Sequence, residues 1–174
     1  MPRITLDQIR AMGDVTQTFR WNLVVVKAPT SVPNFPATAA ADLRIETSEL
    51  PKKTGSSVEV TLKGHSVKYP GIYKPQGTLS FGFVETVDNV IANWFASWQQ
   101  ACWANNTGAR VPKKDLEAVF QLQLLKNDDV ARWQYTMKGC FIEDPNPGQL
   151  DSSSADPLKP QMTISYDDFT QGPL

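Results

Sequence analysis

The chain has 174 residues, of which 41% are hydrophobic and 20% charged, with a formal net charge of −1. That composition is ordinary for a folded domain with its own core, and it excludes a global basic field able to wrap nucleic acid. No apolar run approaches the ~20 residues needed to span a membrane, and MPRITLDQIRAMGD at the start has no apolar stretch of signal-peptide length, so folding in a cytoplasm without membrane insertion is expected.

Thr5 to Met12 reads as a short helix, with Leu6, Ile9 and Met12 at helical spacing and Gly13 as its stop. TFRWNLVVVKAP follows as a strand, apolar on both faces at its centre and so expected to be covered. TSVPNFPATAA, with two prolines, reads as a loop. In DLRIETSELPKKTGSSVEV, Leu43 and Ile45 alternate with Arg44 and Glu46, and Val58, Val60 and Leu62 with Glu59, Thr61 and Lys63. These are two strands, and the polar connection between them exceeds the ~2–5 residues of an ordinary hairpin. HSVKYPG is a short or edge strand because Pro70 cannot donate to a ladder.

GTLSFGFVE places Leu79, Phe81 and Phe83 on one face, with Ser80 and Gly82 on the other. TVDNVIANWFASWQQACW is the one long helix: Val87, Val90, Ile91, Trp94, Trp98 and Ala101 or Cys102 form an apolar stripe for packing on a sheet. Thr86 or Asp88 caps its start, and Asn105 to Gly108 ends it. Three half-buried strands complete the chain. LEAVFQLQLL aligns Leu116, Ala118, Phe120, Leu122 and Leu124. ARWQYTMKGCF sets Trp133, Tyr135, Met137 and Phe141 against Arg132, Gln134, Thr136 and Lys138. QMTISYDD alternates Met162, Ile164 and Tyr166 with Gln161, Thr163 and Ser165. The intervening EDPNPGQLDSSSADPLKP is a long loop.

The pattern predicts a mainly β fold: an antiparallel β-sandwich or barrel with one flanking amphipathic α-helix and extended loop arms. Residues 1–174 form a single domain, with an N-terminal arm at 1–18, a β core at 19–169 holding the helix near 87–103, and a C-terminal tail at 170–174.

No catalytic constellation is visible. Cys102 and Cys140 lack metal-ligand spacing and read as buried free thiols. His65, the sole histidine, stands between Gly64 and Ser66 with no partner in sequence. LKGHS does not match a phosphate loop, and Asp128-Asp129, Glu143-Asp144 and Asp167-Asp168 fit turns and strand ends better than acid–base work. The residues predict no enzyme, no cofactor and no metal site. Strands with polar faces, long arms and no site fit a structural subunit whose edges are covered by neighbours.

The order of elements resembles the tail tube protein of contractile-tailed bacteriophages, a family related to the tubes of type VI secretion systems and pyocins. The resemblance runs from Phe19 to about Phe169. It rests on FRWNLVVVK, then FPATAAADLRIETSELP with its Leu-Pro turn, then the hairpin VEVTLKGHSVKYPG. GTLSFGFVETVDNVIANWFASWQQ follows, with Phe95 and Trp98 as an F-x-x-W pair, then FQLQLLKNDDVARWQYTMKGCFIEDPNPGQLD and the closing strand QMTISYDDF. QLDSSSADPLK and the terminal TQGPL depart from the pattern.

The resemblance implies hexameric rings whose inner sheets join into a barrel and which stack into a hollow tube. Genomic DNA passes through the lumen without specific binding. The partners implied are further copies of the chain, a sheath, a tape-measure protein, baseplate proteins and a tail terminator. The implied location is the virion tail, assembled in the host bacterial cytoplasm. On this reading Glu49, Leu50, Pro51, Lys52, Lys53, Thr54 and Gly55 form an inter-subunit loop reaching the next ring, its lysines meeting acidic groups there. Arg44, Glu46, Glu59, Thr61 and Lys63 are the expected lumen-facing positions. Alternatives are a tube initiator at the baseplate, the tube of a phage-derived contractile injection device, or a small-molecule-binding β-barrel.

Overall fold

The architecture follows from one long bent ribbon in a computed structural model that describes residues 5–11, 13–103 and 111–174. Its elements in chain order are α1 (Leu6–Arg10), β1 (Trp21–Lys27), α2 (Thr38–Asp42), β2 (Ile45–Ser48), β3 (Lys53–Leu62), β4 (His65–Pro75) and β5 (Thr78–Phe83). They continue as α3 (Val90–Cys102), α4 (Lys113–Leu116), β6 (Ala118–Leu125), β7 (Ala131–Asn146), β8 (Gln161–Ser165) and β9 (Asp168–Pro173). Strand β7 is 16 residues long, and its first part pairs with β9 and its second with β8. β6 and β1 extend the sheet beside the first part, and β5 and β2 extend it beyond β8.

The bend lies at Gly139. Its φ of +68° is a conformation that L side chains rarely adopt, and a Cβ there would run into the Asp167 carboxylate. Tyr166 and Asp167 interrupt the partner strand at the same level, between the Lys138–Asp168 and Phe141–Ser165 pairs. The two half-sheets close over a common core and form a sandwich. The barrel alternative is not realised: β1 and β2 end the strand order and do not pair with each other. The bend also changes the inward parity. Met137 points into the core, but beyond Gly139 it is Cys140 and Ile142 that are fully buried, and Phe141, expected in phase with Met137, is only half-buried.

Aromatic side chains fill the core. Trp94 and Trp98 of α3 stack at 6.1 Å, and Phe35 meets both edge-on at 5.2 and 5.1 Å. Phe83 of β5 and Phe120 of β6 also touch this pair, so α3 joins the two half-sheets. Each such ring, fully buried, contributes about 1.5–3 kcal/mol of transfer free energy. The Trp98 indole N–H donates to the Leu116 carbonyl at 3.0 Å, which fixes α3 to the turn before β6.

The helix start differs from expectation. Val87 is 97% exposed, and the helix begins at Val90 behind a left-handed Asn89. Neither Thr86 nor Asp88 caps it. The Glu85 carboxylate accepts from the Ile91 and Ala92 amides at 3.2 and 2.7 Å, placing negative charge at the positive end of the helix. The helix stop expected at Asn105 to Gly108, and Met12 of the first helix, lie outside the described residues.

Three further expectations are corrected. Thr38–Asp42, read as loop and strand, is helical, and β2 begins only at Ile45. The supposed tail from Thr170 onward is strand β9 as far as Pro173, held against Trp133 to Lys138. β2 and β3 are not a hairpin: β2 pairs with β5, and β3 leaves the body of the protein to pair with β4 alone.

Candidate assembly surfaces

Strands β3 and β4 build a two-stranded arm that forms its own sheet. At ~3.3 Å per residue, ten residues carry its tip about 30 Å from its root. The tip is the two-residue turn Lys63-Gly64 between paired Leu62 and His65. Both turn residues have positive φ, 49° and 82°, as a turn matching the strand twist requires. Midway, Ser56 faces a bulge at Pro70 to Tyr73, and its hydroxyl accepts from the Ile72 amide at 2.9 Å. HSVKYPG, expected as a short strand, is therefore the outer part of an 11-residue one.

Every residue from Thr54 to Lys74 is exposed. Pairing nevertheless sorts them by chemistry. Val58 faces Tyr69 and Val60 faces Val67 on one side, while Glu59 faces Lys68 and Thr61 faces Ser66 on the other. Leu62 is 72% and Tyr69 55% exposed. An isolated two-stranded hairpin is marginal in water, and this one presents an apolar face that its own subunit leaves uncovered.

The root is anchored. Lys53 Nζ lies 2.8 Å from Asp168 Oδ1 and 5.0 Å from the Phe169 ring centre. The Lys52 carbonyl accepts from the Gln76 amide at 2.9 Å and the Tyr166 hydroxyl at 3.4 Å. The Lys53 ammonium holds the Asp168 carboxyl below its ordinary range, with help from the Phe169 amide.

These contacts place the expected inter-subunit residues. Glu49 to Lys52 form a short crossing with Pro51 buried, and Lys53, Thr54 and Gly55 begin β3. They are the root of the projecting element, whose body is 53–75. Lys53 is engaged within its own subunit, whereas Lys52 is exposed and belongs to no ion pair among the described residues.

The expected lumen positions do not form one surface. Arg44 precedes β2 and donates to the Ala40 carbonyl at 3.0 Å, and Glu46 pairs with Lys159 at 2.7 Å on the β5–β2 side. Glu59, Thr61 and Lys63 lie out on the arm.

Sequence reading did not single out the outer face of the β1-β6-β7-β9 half-sheet. Cross-strand pairing aligns Asn22 with Gln123, Val24 with Gln121, Gln123 with Gln134, Gln121 with Thr136 and Thr136 with Thr170. Their side chains form a ladder: Gln123 Nε2 donates to Gln121 Oε1 at 2.8 Å, and Gln121 Nε2 donates to Thr136 Oγ1 at 3.1 Å and to Gln134 Oε1. The signal was present in the alternation of Gln121, Gln123, Gln134 and Thr136, but not which strands would lie together. Apart from Val24 its middle is polar, and it carries no formal charge between Arg132 at one end and Lys138 and Asp168 at the other.

The outer edge of β1 is closed from its own chain. Asp42 Oδ1 accepts from the Leu23 amide at 2.6 Å, and Thr38 Oγ1 accepts from the Val25 amide at 3.1 Å. One turn of α2 thus occupies the donors that an added strand would need.

Among the described residues, no group of side chains has the layout of a catalytic site. Burial pushes the thiol of Cys140 up to about 12 and that of Cys102, half-buried rather than buried, up to about 11, away from the thiolate form that nucleophilic chemistry needs. No group of three or more metal-ligating side chains occurs among the described residues.

No family model and no curated protein sequence matches the chain. Solved structures do. A chain of the anti-feeding prophage baseplate matches with a TM-score of 0.67 at 12% identity, covering 92% of this chain and 97% of that one. A chain of the tube-terminating cap of the same particle matches at 0.65 and 11%, covering 93% of each. The sheath–tube complex of an extracellular contractile injection system, in its extended state, matches at 0.61 and 11%, covering 99% and 100%. At such identities the likeness is one of fold: this chain shares its fold with chains from the cap, baseplate and sheath–tube complexes of contractile injection particles.

Proposed function

We propose that this chain is a structural subunit that assembles with copies of itself into stacked hexameric rings, forming the hollow tube of a contractile tail. The observation that carries this reading is the arm. A projecting hairpin with an uncovered apolar face and an anchored root is built to be covered by another molecule. The fold it shares with tube, cap and baseplate proteins makes a second copy the natural partner.

The Gln–Thr–Asn face, uncharged between Arg132 and Lys138, is the surface suited to line the bore, in place of the positions on β2 and the arm. A polyanion slides past neutral amides and hydroxyls without the counterion release that lysines would cause. Genomic DNA, passing without specific binding, is the expected cargo. A sheath outside the tube, a tape-measure protein within it during assembly, and baseplate and terminator proteins at its ends complete the proposed partners. The particle tail, put together in a host bacterial cytoplasm, is the proposed location. The protein does no chemistry in this reading.

A second reading has its own support, because the baseplate and cap chains match slightly better than the sheath–tube chain. An initiator or terminator would form single rings. The same fold also serves a phage-derived injection device. Electron microscopy of the purified protein over a concentration series separates stacked tubes from single rings.

A further inference from the structure

We infer that the groove between α3 and the 145–160 loop is the receptor for the tip of the arm of a second copy. The inference rests on the self-assembly proposed above and names where that assembly is joined.

The groove, about 220 Å³ in volume, is lined by Ala92, Phe95 and Ala96 of α3 and by Pro145, Leu158 and Pro160 across from them. Its far wall is held in place: the Phe83 amide donates to the Pro160 carbonyl at 2.9 Å and the Glu85 amide to the Leu158 carbonyl at 3.0 Å. An apolar slot with a fixed wall suits a single aliphatic side chain, and Leu62 stands at the arm tip 72% exposed.

Charge selects the occupant. The arm from Lys53 to Pro75 holds four lysines (Lys53, Lys63, Lys68, Lys74) and one acid, Glu59, a formal +3. The chain totals −1, which leaves −4 for the remainder. Residues 139–160 hold Glu143, Asp144, Asp151 and Asp156 against one cation, Lys159, which is already paired with Glu46. All four acids are exposed, and none belongs to an ion pair among the described residues; the same is true of Lys63, Lys68 and Lys74. Arm and groove rim thus carry complementary, unpaired charge beside complementary apolar surface. The two patches are different parts of one chain, so within the stacked assembly proposed above their union runs head-to-tail from copy to copy. This also gives a role to QLDSSSADPLK, the segment that departs from the pattern the chain resembles.

The test pairs cross-linking with charge exchange. Leu62→Cys protein is mixed with Ala96→Cys protein under mild oxidation, with wild type as the blank. The expected result is a disulfide-linked dimer in the mixture and in neither variant alone. In parallel, Lys63→Glu with Lys68→Glu, and separately Glu143→Lys with Asp144→Lys, are expected to lower the assembled fraction about tenfold, and mixing the two reversed proteins to restore arm–groove pairing between them. Wild type that assembles while the mixture gives no cross-link and the exchanged charges do not pair overturns the groove assignment and leaves self-assembly standing. A cross-link from Leu62→Cys to Leu50→Cys, beside the separate apolar cleft of Trp21 and Leu124, overturns it in favour of that cleft. Wild type that stays monomeric at every concentration overturns both readings.

Discussion

Lys53 Nζ sits 2.8 Å from Asp168 Oδ1, with the Phe169 ring 5.0 Å beneath the same ammonium. This contact joins the first residue of the arm to the first residue of the last strand, 115 positions on by their numbers. It ties the root of the arm to the start of β9. Replacing Asp168 with Asn should leave the thermal unfolding midpoint nearly unchanged, because the pair is at the surface. Assembly should weaken and lose part of its salt sensitivity. The carboxyl is held below its ordinary value of 3.8, so its contribution is fully present above that pH and disappears as pH falls through the lowered value. Turbidity or sedimentation of assembled material from pH 6 to 3, wild type against Asp168→Asn, reads this directly.

Gly139 should tolerate no side chain. Gly139→Ala meets both a positive φ and the Asp167 carboxylate, at a cost of about 2–3 kcal/mol. A urea unfolding midpoint shifted down at constant slope is the expected readout. An unchanged midpoint would mean that the two half-sheets do not turn at this residue.

The arm and the core should separate experimentally. Val58→Ser with Tyr69→Ser removes apolar surface that the subunit leaves exposed, so monomer stability should change by less than about 0.5 kcal/mol. Assembly should fail. Trp98→Ala does the reverse: it opens the aromatic core and costs about 3–5 kcal/mol, destabilising the monomer itself.

The neutral face should matter to cargo and little to folding. Gln123→Lys with Gln134→Lys places cations on the amide ladder. Assembled material should then retain double-stranded DNA at low salt and release it as salt rises, while wild type retains none. Equal retention by both proteins would remove this face from the bore.

How far the residues alone could be read follows from what each element answers to. The helix of Trp94 and Trp98 and the strands of Phe81, Phe120 and Met162 were legible, because burial imposes its period directly on the sequence. The turn from sheet to sheet at Gly139 was not, since a single glycine does not announce which carboxylate will fill its missing Cβ. The short α2 was hidden because Thr38 and Asp42 act on the neighbouring edge of β1, a tertiary role. The reading of a connection too long for a hairpin after Ile45 was mistaken: only Glu49 to Lys52 separate β2 from β3, Lys53 to Ser57 already belong to β3, and the projection is β3 and β4 themselves. Nor was the extent of that projection legible: Val67 and Tyr69 alternate with Ser66 and Lys68 like strand residues of a core, yet they stand in solvent. The Gln ladder escaped notice for a related reason, as its members come from separate strands that only pairing aligns.

Negative-stain electron microscopy of the purified protein over a rising concentration series tests the central claim most directly. The account predicts hollow filaments or stacked rings of uniform diameter that disappear when Val58 and Tyr69 are replaced by Ser. Monomers at every concentration, with the arm unprotected from hydrogen exchange throughout, would contradict it.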